Sequence, residues 1–160
     1  MGKKYHKNQL IEFCDDCKRG FFITINSSIR KPIAELSENQ FNQFRNDVLD
    51  IRKALNIYCY GKHFKERQRS FKGFTAIEVG WEGDLLHAHL LLLNHLATNR
   101  TTEDIERRLK DKIRPYCTIA ESNNSIQVKK YDPGKLEKCV DYCIKQQYLF
   151  IERFRESNIT

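Results

Sequence analysis

Two histidines stand two residues apart in an otherwise apolar run, His87 and His89 within residues 86–93 (LHAHLLLL). On a β-strand successive side chains point to opposite faces, so the two imidazoles share one face while Ala88 and Leu90 take the other. Neutral imidazoles held side by side on a rigid strand are a natural pair of metal ligands. The competing reading is two strand histidines without chemistry. Glu78 lies nine residues before His87 and offers a carboxylate, and Tyr142 with Lys145 near the C-terminus offers a hydroxyl and an ammonium group. Taken alone, Tyr142 reads equally as a surface tyrosine. Taken together, a metal would polarise a phosphate oxygen, the tyrosine would attack the phosphorus, and the lysine would favour the phenolate or offset the charge that develops.

That chemistry requires elements that bring residues 78, 87, 89 and 142 together. Residues 20–26 (GFFITIN) are rich in aromatic and β-branched residues and read as a first strand. Ser37, with Gln40 three residues on, caps a helix over 38–56 in which Phe41, Phe44, Val48, Ile51 and Leu55 recur at helical spacing. Residues 61–72 read as a loop or the start of a long strand. Residues 74–81 are the second strand, and Gly83-Asp84 turns the chain into the histidine strand, making an antiparallel hairpin. Thr101 or Thr102 caps a helix running to about residue 113, a short strand is expected at 116–120, and residues 125–131 are the next main strand. After Asp132-Pro133-Gly134 a last helix is expected over 135–155. Leu136, Val140, Cys143, Phe150, Ile151 and Phe154 would form its apolar stripe, with Tyr142 and Lys145 on another flank. The order βαββαβ plus a helix is α+β and ferredoxin-like or RRM-like, with a C-terminal helix carrying the tyrosine. Its first and third strands are central, which puts Thr24 beside the histidines. Residues 1–19 read as a partly ordered basic segment ahead of one domain over 20–160.

The chain carries 28 Lys and Arg against 21 Asp and Glu, a net charge of +7. The run at 62–72 contributes Lys62, Lys65, Arg67, Arg69 and Lys72 interleaved with Phe64 and Phe71, and a second basic run spans 107–114. Basic residues with aromatic neighbours suit single-stranded nucleic acid, whose backbone they neutralise and whose bases stack on rings; a solvated basic face is the alternative. No apolar run reaches the length of a membrane span, and the basic start MGKKYHK lacks the apolar segment of a signal peptide, so the expectation is an intracellular protein with no membrane partner. Six cysteines then read as thiols. Cys14 and Cys17 have the spacing of half a zinc site, and Cys139 with Cys143 could complete four sulfurs; small packing residues are the favoured reading over zinc.

His87-Ala88-His89 followed by four leucines resembles the histidine–hydrophobic–histidine motif that defines HUH endonucleases. The order of motifs resembles that of rolling-circle replication initiators (Rep proteins). Their first motif, a hydrophobic strand with threonine, is similar to residues 21–26 with Thr24, and their tyrosine followed three residues later by lysine is similar to Tyr142-Cys143-Ile144-Lys145. The resemblance covers residues 20 to about 150. It implies a single-tyrosine nickase-ligase that cuts and rejoins single-stranded or hairpin DNA through a 5′-phosphotyrosine. It also implies Mg²⁺ or Mn²⁺ at His87, His89 and an acidic third ligand in the place of Glu78, and a host helicase or polymerase as partner. The setting would be cytoplasmic, or nuclear for a eukaryotic or viral protein. Gln146, four residues after Tyr142, is similar to the third ligand of single-tyrosine insertion-sequence transposases, and competes with Glu78 for that role. A non-catalytic RRM-like nucleic-acid-binding domain is the alternative from another class.

Overall fold

A computed structural model describes residues 2–80, 83–144 and 147–155. Nine main elements run in the order α1 (Gly2–Cys14), β1 (Arg19–Arg30), α2 (Glu38–Tyr60), β2 (Lys72–Val79), β3 (Leu85–Asn94), α3 (Thr102–Lys112), β4 (Ile126–Lys130), α4 (Leu136–Ile144) and β5 (Gln147–Arg155). The five strands form one antiparallel sheet in the order β4-β1-β3-β2-β5, so the histidine strand is its middle strand with β1 beside it. The fold is α+β, and the order of its first four strands is compatible with a ferredoxin-like arrangement.

Strand alternation divides the apolar residues between two faces. Phe21, Ile23 and Ile25 of β1, Ile77 and Val79 of β2, and Leu86, Ala88, Leu90 and Leu92 of β3 form one buried cluster with α2 and α3. Phe44, Val48, Ile51 and Leu55 are the buried stripe of α2, and Ser37 and Gln40 make the expected reciprocal cap. The opposite face carries Phe74, Ala76, Leu91 and Leu93, which pack with Leu10 and Cys14 of α1 and with Leu136, Val140, Cys143 and Ile144 of α4. His87, His89 and Glu78 have the parity of this second face. β3 is buried on both faces, which is why it reads as an almost unbroken apolar run.

Four expectations need correction. Residues 2–14 are a helix whose Leu10 and Cys14 are buried, not a partly ordered segment. The scattered apolar positions of α1 find partners only on the second sheet face and on α4, where Lys7 also pairs with Glu137 (3.0 Å) and Asp141 (2.8 Å). The last helix ends at Ile144, and residues 147–155 are a fifth strand on the edge of β2. The aromatic and β-branched stretch YLFIERF fits either period, and the free hydrogen-bonding edge of β2 decides for the strand. Residues 116–120 form no strand; only an isolated bridge joins Ser27 to Ile119. Lys72, expected on a DNA-binding surface, is buried, with its ammonium 2.6 Å from Asp16 and over the Phe13 ring.

The hairpin that presents Glu78 to the histidines turns through Gly83 (φ 72°) and Asp84 (φ 48°). Positive φ at both positions is easy for glycine and tolerated by aspartate. α3 is capped reciprocally, Asp104 N donating to Thr101 Oγ1 (3.1 Å) and Thr101 N to Asp104 Oδ2 (3.0 Å). Thr101→Ala is therefore expected to cost about 1 kcal/mol of stability, read as a lower urea midpoint at unchanged m-value, while leaving metal binding untouched.

Candidate metal and tyrosine site

The register of the sheet assembles the site. Cα partners are Thr24↔His89 across β1 and β3, and Glu78↔His87 across β2 and β3. On their shared face, Glu78 Oε2 lies 3.7 Å from His87 Nε2 and Glu78 Oε1 lies 3.6 Å from His89 Nε2. Each carboxylate oxygen thus faces its own histidine, at a distance too long for a hydrogen bond. Both Glu78 oxygens and His89 Nε2 are buried without a hydrogen-bond partner.

The other ring nitrogens are engaged. His87 Nδ1 is 2.9 Å from the Leu85 carbonyl, and His89 Nδ1 is 3.1 Å from Thr24 Oγ1. With Nδ1–H donating in both rings, the two Nε2 lone pairs are left directed toward Glu78, the arrangement in which protein histidines bind metals. Thr24 is therefore the support of His89. The His89 ring is further held by Phe22, stacked at 5.5 Å and 10°, and by His87 at 4.9 Å, edge on.

Burial sets the charge states of this cluster. It pushes the Glu78 carboxyl up to about 8 and His87 below its ordinary value, the latter opposed in part by the bond to Leu85. Burial, with a smaller contribution from His87, pushes His89 down to about 3. Without a cation the cluster at neutral pH is a protonated acid beside two neutral imidazoles, not an ion pair. Three orphaned polar atoms facing one point are costly in an apolar interior unless something satisfies them. Two neutral imidazoles and a carboxylate are a donor set for a divalent cation, and Glu78, His87 and His89 are one of the groups whose ligand atoms lie within 4.8 Å of one another. The residues fit a metal.

The histidines line an open cavity of about 850 Å³, within the usual size range of ligand sites. Its walls carry Phe22, Thr24 and Asn26 from β1, Gln127 and Lys129 from β4, and Lys138 and Tyr142 from α4. Tyr142 is half exposed, its ring centroid 5.1 Å from that of His89. Tyr142, His87, His89 and Glu78 are thus brought together; Lys145 and Gln146 lie outside the described residues.

The basic run at 62–72 is not part of this cavity. Lys62, Lys65, Arg67 and Arg69 are exposed on the turns before β2, at the end of that strand opposite Glu78. The cations that do line the cavity are Lys129 and Lys130 at the end of β4, Lys135, and Lys138 in α4. Sequence reasoning passed over them, although Lys135, Lys138 and Tyr142 share the i, i+3, i+7 spacing of one helix face.

Among the described residues no helix is long and apolar enough to cross a membrane. Comparison with protein-family models, with curated proteins and with solved structures finds no match to this chain.

Proposed function

We propose that the protein nicks and rejoins single-stranded DNA through a 5′-phosphotyrosine on Tyr142, the reaction of rolling-circle replication initiators. One observation carries the reading: a half-exposed tyrosine stands beside His89 of a buried His–His–Glu donor cluster, in one basic cavity. Tyr142 Oη attacks phosphorus, an Oη–P bond forms as the P–O3′ bond breaks, the phenolic proton passes to solvent, and the leaving oxygen becomes a 3′-hydroxyl. The reverse reaction, with a 3′-hydroxyl attacking the phosphotyrosine, rejoins the strand at little energetic cost because the phosphodiester energy is conserved. A divalent cation held by His87, His89 and Glu78, Mg²⁺ or Mn²⁺, would supply positive charge to a non-bridging phosphate oxygen. Thr24 and the Leu85 carbonyl hold the two rings in the ligating tautomer. Lys145, three residues after Tyr142, would favour the phenolate or offset charge on the phosphorus. An insertion-sequence transposase of the single-tyrosine type would use the same chemistry; the carboxylate of Glu78 opposite both histidines favours the initiator-like ligand set over Gln146.

A purely RRM-like binding role is less favoured. Such domains stack bases on open aromatics of their central strands, whereas here α1 and α4 pack on that face and Phe22 stacks on His89. Incubation of the protein and Mn²⁺ with a pool of single-stranded oligonucleotides labelled at their 3′ ends is expected to leave label covalently attached to protein under denaturing conditions. Absence of any adduct across the pool, with metal bound, would refute the reading.

Lys135 and Lys138 are placed to neutralise backbone phosphates on the way to Tyr142. Replacing both by alanine is expected to lower single-strand affinity and flatten the log–log salt dependence by about 1.4, two counterions' worth. Alanines at Lys62 and Lys65 are expected to change the slope less.

A further inference from the structure

Beyond the His–His–Glu cluster, a second set of donors converges where the α1–β1 connection meets the end of β3. His95 Nε2 lies 3.3 Å from Asp16 Oδ2 and 3.7 Å from Cys17 Sγ. One ligand atom from each of the three residues falls within 4.8 Å of the other two. We propose that Asp16, Cys17 and His95 form a zinc site, distinct from the proposed catalytic one and independent of it.

The separations argue for it. Tetrahedral zinc with bonds of about 2.3 Å to sulfur, 2.05 Å to nitrogen and 2.1 Å to oxygen sets sulfur and nitrogen about 3.6 Å apart and nitrogen and oxygen about 3.4 Å apart. The observed 3.7 and 3.3 Å match both edges. Sulfur, imidazole and carboxylate together are a donor set for zinc rather than for a hard cation. The second oxygen of Asp16 is taken by Lys72 at 2.6 Å, which fixes the carboxylate with Oδ2 turned to His95. A thiolate and a carboxylate would neutralise Zn²⁺, and the thiol proton is released on binding. Cys17 is buried, but the Asp16 and His95 side chains are 49% and 62% exposed, so an ion has a way in and a fourth position is open to water.

The structure also redirects the cysteine spacing. Cys17 of the Cys-x-x-Cys pair has its sulfur 3.7 Å from the imidazole of a histidine 78 residues away. Cys14 and Cys143 are fully buried in the apolar cluster with Cys139 packed against it, which is how packing residues behave. Zinc here would tie the end of α1 to the end of the histidine strand.

The test uses the full chain stripped with chelator and titrated with Co²⁺ alone. A near-ultraviolet thiolate-to-cobalt band is expected, saturating at one equivalent and displaced by Zn²⁺. Cys17→Ser should abolish the band, and His95→Gln, at an exposed position that folding tolerates, should weaken Co²⁺ affinity at this site at least tenfold. Cys139→Ser should leave it intact. A His87→Ala, His89→Ala double variant should keep the band, which separates this site from the proposed catalytic one. Lack of a thiolate band in the parent chain, or a band that survives both Cys17→Ser and His95→Gln, would overturn the proposal and leave a hydrogen-bonded Asp–His pair beside a thiol.

Discussion

Tyr142→Phe is expected to abolish covalent attachment to DNA and to lower nicking by about 10⁴-fold or more, because in the proposed reaction it removes the atom that would form the bond to phosphorus. Little else should change. Tyr142 is 51% exposed and contacts His89 through its ring, which phenylalanine keeps. Stability should stay within about 0.5 kcal/mol, and metal affinity should be that of the parent. This contrast separates a nucleophile from a packing residue. The measurement pairs a denaturing-gel assay for the adduct with a urea titration and a metal titration of the same preparation. Equal adduct yields in parent and variant would sink the assignment, and a large loss of stability would show that Tyr142 matters to the fold instead.

Glu78 gives the second large effect, and its sign depends on pH. In the metal-free chain its carboxyl titrates at about 8, against 4.5 in the ordinary case. Between those values the unfolded chain has lost the proton and the folded chain keeps it, so the folded state binds one more proton and stability falls as pH rises, by about 1.4 kcal/mol per unit. His89 acts in the opposite sense lower down. Folded, it stays neutral to about 3, whereas the unfolded residue protonates below 6.5, so stability rises with pH between 3 and 6.5. His87, also depressed, adds to that rise. From 6.5 to 8 only the Glu78 contribution remains, and the metal-free protein is expected to lose about 2 kcal/mol across that window.

Glu78→Gln cannot ionise and should remove this loss. The same substitution replaces an anionic ligand by a neutral amide, and divalent-cation affinity is expected to drop more than tenfold. Saturating Mn²⁺ should likewise abolish the fall in the parent, since a ligating carboxylate no longer has to be buried bare. Urea midpoints at pH 6.5 and 8, with chelator and with Mn²⁺, check all of this. A parallel decline in Glu78→Gln under chelator would show that another group is responsible.

Much of the site was legible in the residues before any folding. The i, i+2 spacing of His87 and His89 on an apolar strand already put both rings on one face, and the expected hairpin already brought Glu78 near His87, while the register itself is set by the fold. These relations are local: strand alternation and a short hairpin determine them, and both are written in neighbouring residues. Thr24 followed from the order of elements, because a βαββαβ chain brings its first and third strands together.

What tertiary structure alone decided is why that cluster is buried. Read by period, residues 135–155 made one long helix, which would have left β2 on the sheet edge and Glu78 beside solvent. Instead β5 closes that edge, with Tyr148 opposite Glu78, and Glu78 is left with no exposed surface. The same holds for α1, whose few apolar residues signal nothing until Phe74, Leu91 and α4 are there to receive them. It holds also for the cavity lysines, which line one cavity with the histidines although Lys129 and Lys130 come from the end of β4, Lys135 from the turn after it and Lys138 from α4. Pairings between distant segments depend on which edges and faces the rest of the chain leaves open. Sequence period carries no record of that, and so the candidate ligands could be read from the sequence while their burial and their cationic surroundings had to be read from the fold.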